Sequence, residues 1–182
     1  FLRNVYYDAV TDIYADIKKN LKSRDFKNHK ILQFGFWPGG DRDGNPFVTA
    51  NITKSVADEL RMNLMKCYYK DLKSLEKKLT FKGIEGVISS LRSKLYVTMF
   101  DGNETIQHSD ILDPLIRIKE YLALNYNSIY IQDVVNLIDK VEIFKTHFAS
   151  LDIRQNHSVH KQAVEEIFLK EGIIKNNIDE ID

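Results

Sequence analysis

The chain has 182 residues, 43% hydrophobic and 29% charged, enough apolar material for one globular core and too much for a disordered or fibrous polypeptide. Lysine plus arginine equals aspartate plus glutamate at 26 each, so no net basic field favours nucleic acid, and no apolar run reaches the length of a bilayer-spanning helix. The single cysteine, Cys67, excludes an internal disulfide and a cysteine-built zinc site and fits a reducing interior, so the expected location is the cytoplasm.

Helical periodicity begins at once from Phe1, without an initiator methionine or the pattern of a signal peptide, as in a chain cut from something longer. Leu2, Val5, Tyr6, Ala9, Ile13, Ile17 and Leu21 recur at steps of three and four, which predicts a helix with that stripe toward the core. The run ILQFGFW, Ile31 to Trp37, is compact, apolar and too short for a helix, and predicts a buried strand. A turn-rich stretch, FWPGGDRDGNPFVT, overlaps its end. Thr49 is the N-cap candidate for the next helix, because its hydroxyl can accept a free amide of the first turn. Leu60, Leu64, Tyr68, Leu72, Leu75 and Leu79 supply that helix's apolar stripe.

After Gly83, a further helix is predicted from Ile84, Val87, Ile88, Leu91, Leu95 and Met99, and turn formers at 100–104 end it. Ser109 or Asp110 caps a helix reaching about Leu124, and Ile131, Val134, Val135, Ile138, Val141 and Phe144 mark the next. FASLDIR, Phe148 to Arg154, predicts a second buried strand. A last helix starts at His157 or Ser158 and stops at Gly172, with a frayed or loosely packed tail beyond. The fold class is therefore mainly α: a helical bundle with two short β segments. No repeat, low-complexity tract or linker divides it, so residues 1–182 read as a single segment without separate domains.

The chemistry concentrates after the two strands. Counted from Asp41, the glycine-rich run offers calcium-type ligands at Asp41, Asp43 and Asn45. The sixth position is Pro46 and the twelfth Ile52, where an EF-hand needs glycine and a bidentate glutamate. No Gly-Lys-Ser/Thr follows, which excludes a Walker phosphate loop. What remains is strand, glycine-rich turn, helix, with Arg42 between two carboxylates expected to hold it by charge-assisted bonds for phosphate or carboxylate recognition. A capped structural turn, in which Asp and Asn satisfy loop amides, accounts for the same residues. Asp152, Arg154 and Gln155 close the second strand in the same style, and a local Asp152–Arg154 ion pair is the simpler reading there.

GGDRDGNPFVT, followed after a long helical excursion by LDIRQ and then His160, resembles phosphoenolpyruvate carboxylase. In that family the two motifs lie on the first two strands of a TIM-type (β/α) barrel, so the resemblance implies that the chain is an incomplete part of a barrel enzyme. It further implies carboxylation of phosphoenolpyruvate with bicarbonate to oxaloacetate and phosphate, with Mg²⁺ or Mn²⁺ whose ligands are not in this chain. No cofactor is expected in the isolated piece. By motif, Arg154 matches the arginine that reaches the substrate phosphate. Asp41, Arg42, Asp43 and Asn45 match the first-strand segment lining the same mouth, and Gln155 follows as a neighbour. Pro38 stands where the family has Met or Ile, and Asn156 and His157 stand where it has Glu-Ser; His157 and His160 read as surface or capping residues. The family's catalytic histidine and metal carboxylates find no counterpart here, so the isolated chain is expected to be inactive. The implied parent is a homo-tetramer with no nucleic-acid or membrane partner. Two strands without their neighbours are expected to be displaced, covered or paired between copies, a route to self-association. A non-enzymatic helical interaction module is the alternative that periodicity alone favours.

Overall fold

A computed structural model of the chain describes residues 2–21, 29–100 and 106–175. The described residues form α1 (Tyr7–Asn20), β1 (Gly35–Phe36), α2 (Ala50–Lys78), α3 (Glu85–Phe100), α4 (His108–Asn125), α5 (Ile131–Phe144), β2 (Ser150–Leu151) and α6 (His157–Lys170). The protein is mainly helical, as its periodicity requires. None of the described helices is long and apolar enough to cross a membrane. The chain divides into two compact units, one of residues 1–34 with 57–150, the other of 35–56 with 151–182.

The first unit holds the helical core. Along α2 the whole predicted stripe from Leu60 to Leu79 is buried, joined by Met65 and Cys67. Ile84, Ile88, Leu91 and Leu95 bury the α3 face, and Val134, Leu137, Val141 and Phe144 that of α5. α5 packs on α4 and on α1, and α3 on α4. The α1 stripe differs from the expected one. Tyr7, Val10 and Tyr14 are buried, whereas Val5, Tyr6, Ile13 and Leu21 are exposed. A π-helical turn at Leu2–Tyr6 breaks the α-helical phase before α1 begins. Tyrosine also suits this face because its ring stacks, 5.6 Å from Phe144, while its hydroxyl donates to Asp71 at 2.9 Å. At α4 the expected caps, Ser109 or Asp110, give way to Gln107: the helix starts one residue earlier than Ser109, and the Asp110 carboxylate accepts the Gln107 N–H at 2.8 Å from inside the first turn. The turn read at 100–104 lies outside the described residues beyond Phe100.

Charge is buried in this unit with its partners. Lys140 Nζ lies 3.0 Å from Asp71, 3.3 Å from Asp8 and 4.1 Å from the Tyr7 ring centroid, and Asp139 pairs with Lys18. Burial, with the Asp71 charge second, pushes the nearby Cys67 thiol up to about 12. The folded-state value is raised above the ordinary 9.0, so this contribution to stability is full below pH 9.0 and is lost as pH rises toward 12. Native protein at pH 8 is expected to leave Cys67 unlabelled by a thiol reagent, and unfolding in urea to expose it; rapid native labelling would contradict the burial.

β1 and β2 pair with each other in parallel. Each is only two residues long. The flanking runs are not buried strands as expected: Ile31 closes a 3₁₀ turn (His29–Ile31) and is 52% exposed, and Trp37 and Ile153 are 45% and 54% exposed. Asp152, Ile153 and Arg154 are exposed in succession, so the run past β2 lies at the surface and does not alternate as a half-buried strand would. α6 begins after Asn156 and ends at Lys170, with Gly172 in the predicted left-handed conformation (φ 69°) and the Ile173 N–H closing on Phe168 O at 2.8 Å. Of the tail expected to be loose, Ile174 is buried and residues 176–182 lie outside the described ones.

Candidate functional site

Two segments more than a hundred residues apart in the chain meet within the second unit. The Asp152 N–H donates to Phe36 O at 2.9 Å, the Arg154 N–H to Gly40 O at 3.0 Å, and the Arg42 N–H to Arg154 O at 2.9 Å. These bonds pair Asp41 with Arg154 as a parallel bridge. Paired residues project from the same face, so the Asp41 carboxylate and the Arg154 guanidinium share one side of the ribbon.

The Gly39-Gly40 pair is what permits this junction. A side chain on Gly40 would place its Cβ 2.0 Å from the backbone oxygen of Asp152, closer than any atoms can sit, so only hydrogen fits. Gly39 takes φ 81°, and a Cβ there would meet Val56 Cγ2 at 2.5 Å. The Gly40 N–H closes a tight turn on Trp37 O at 2.9 Å. Thr53, in the first turn of α2, donates its hydroxyl to Gly39 O at 2.7 Å, and Thr49 accepts the Ile52 N–H at 3.4 Å as the predicted cap. The turn is thereby tied to the start of α2.

The six sequence-predicted site residues fall on this junction, with different surroundings. Asp41 and Arg42 are half-buried, Asp43 and Asn45 exposed. Arg42 contributes its backbone to the bridge, but neither flanking carboxylate lies within ion-pair distance of its guanidinium, so the expected charge-assisted clamp is not formed among the described residues. The chain bends at Asp43 and Gly44 immediately after the bridge. Asn45 Oδ1 accepts the Phe47 N–H at 3.1 Å, the Asx turn of the structural reading. Gln155 Oε1 accepts the Asn156 N–H at 3.0 Å. Arg154 Nε lies 3.7 Å from Asp152 Oδ2, both side chains more than half exposed, and its guanidinium carbon lies 3.8 Å from the centroid of the Trp37 ring.

Trp37 and Asn156 were not singled out by sequence reasoning. An aromatic residue at a strand end immediately before the glycine turn is the signal that marks Trp37. Asn156 caps α6: its Oδ1 accepts the Ser158 N–H at 3.0 Å and the Ser158 hydroxyl at 2.7 Å. His157 and His160 are exposed on that helix. Asn156→Ala is expected to lower stability by about 1 kcal/mol, read as an earlier denaturation midpoint, with Asn156→Asp close to unchanged. Equal losses in the two variants would contradict the capping role.

The phosphoenolpyruvate carboxylase family model matches residues 1–104 and 87–181. The phosphoenolpyruvate carboxylase of Aeromonas salmonicida is 29% identical across 75% of this chain and 19% of its own length. That of Shewanella halifaxensis is 29% identical across 88% of this chain and 22% of its own length, and that of Psychromonas ingrahamii 29% across 92% and 23%. The chain thus spans about a fifth of the length of these relatives. Matched by the family model over nearly its whole length, the chain belongs to the phosphoenolpyruvate carboxylase family.

Proposed function

We propose that this chain supplies part of the substrate-binding mouth of a phosphoenolpyruvate carboxylase, a carboxy-lyase that joins bicarbonate to phosphoenolpyruvate to give oxaloacetate and phosphate. The observation that carries the reading is the bridge between Asp41 and Arg154, which puts the ends of the two motif segments side by side. In the complete protein the ribbon serves as the first two strands of a (β/α) barrel, whose sites form at the C-terminal strand ends. Arg154 presents paired N–H donors to the substrate phosphate as charge redistributes during transfer. Asp41, Arg42, Asp43, Asn45 and Gln155 organise the same mouth. A helical interaction module gives no account of the bridge.

A Mg²⁺ or Mn²⁺ ion supplies charge neutralisation in this chemistry when bound. Among the described residues no three His, Cys, Asp or Glu side chains gather as a site for one; the reading draws its ligands from other parts of the complete protein. The test is oxaloacetate formation. The complete protein is expected to form it from phosphoenolpyruvate and bicarbonate, the Arg42→Ala/Arg154→Ala variant to lose it, and the isolated 182-residue chain to show none. Normal activity in the double variant would overturn the reading.

A further inference from the structure

Arg154 is half-exposed yet constrained on two sides. The Trp37 ring lies 3.8 Å from its guanidinium carbon, within stacking contact, and Asp152 Oδ2 stands 3.7 Å from Nε. The aromatic face restricts the guanidinium plane, and the carboxylate occupies the Nε edge. The terminal Nη donors are left to a further ligand. Trp37 is itself 45% exposed, so its ring is not held there as core packing. Its carbonyl meanwhile accepts the Gly40 N–H at 2.9 Å and closes the turn that delivers Asp41.

We propose that Trp37 is a positioning residue: its indole stacks on Arg154 and fixes the guanidinium so that its Nη edge meets an incoming phosphate already oriented. The inference rests on the reading of Arg154 as the phosphate ligand. An unsupported arginine loses several freely rotating torsions on binding; a stacked one has given them up beforehand, so the gain appears in substrate binding more than in the chemical step.

In the complete protein, Trp37→Leu is expected to raise KM for phosphoenolpyruvate about 10-fold while kcat falls less than about 3-fold, and Trp37→Phe, which keeps an aromatic face, to stay within about 3-fold of the unaltered KM. Equal losses in the two variants, or no change in either, overturn the proposal. Trp37 is the single tryptophan of the 182-residue chain, so its emission reports the stack even where Trp37→Leu fails to fold. Arg154→Ala is expected to alter that emission. An altered KM with unaltered emission in Arg154→Ala overturns the stack alone; an unaltered KM with altered emission overturns the phosphate reading on which it rests.

Discussion

Replacing Arg154 by alanine in the complete protein is expected to lower kcat/KM for phosphoenolpyruvate by about 10²–10³-fold, the usual consequence of removing one charged donor from a developing oxyanion. The side chain is more than half exposed, and its partners among the described residues are one loose ion pair and one ring face. Exposed ion pairs contribute about 0–1 kcal/mol to stability, so the denaturation midpoint should barely move. That contrast separates a ligand-binding arginine from a structural one. Arg154→Lys keeps the charge but loses the paired fork, and should recover only part of the activity. An unaltered kcat/KM in Arg154→Ala would contradict the assignment.

The second large effect is expected at Gly40. Alanine there drives Cβ into the Asp152 carbonyl, an atom of the backbone that cannot swing aside. Relief requires the two segments to part, which breaks the Arg154 N–H to Gly40 O and Arg42 N–H to Arg154 O bonds. Two lost hydrogen bonds and the accompanying strain amount to about 3 kcal/mol. Gly44 is the control. It also has positive φ, 70°, but a Cβ there meets nothing within 4 Å, so Gly44→Ala should cost only about 1 kcal/mol. Amide exchange resolves the difference: Gly40→Ala should release protection at Arg42 and Arg154, and Gly44→Ala should retain it. Equal stability losses in the two would show that the close backbone approach is not what selects glycine at Gly40.

The contrast between what the sequence disclosed and what it hid follows from the range of the interactions. The stripes of α2, α3 and α5 were legible because burial repeats along one helix face, and the Gly172 stop because it is local backbone chemistry. α1 was misread because a π-turn shifted its phase and because the buried positions are tyrosines, whose hydroxyls need distant acceptors such as Asp71. The strands were overestimated in length and burial, since apolar composition does not reveal that Ile31 enters a 3₁₀ turn or that Ile153 sits in an exposed run. At the candidate site the glycines and the Asp41, Arg42 and Arg154 positions stood out as motifs. The pairing of Asp41 with Arg154 and the Trp37 stack did not, because both depend on two segments meeting across the intervening helices of the sequence. The Arg42 clamp did not form where the chain bends at Asp43 and Gly44, a turn geometry that the order of residues alone does not fix.

Titration of the ¹⁵N-labelled chain with phosphoenolpyruvate, followed through the Arg154 Nε–H signal and the backbone amides, tests the Asp41–Arg154 junction as an anion site most directly. The account predicts saturable shifts confined to residues 37–45 and 152–155, abolished in Arg154→Ala. Shifts centred on any other surface, or shifts that persist unchanged in Arg154→Ala, would contradict it.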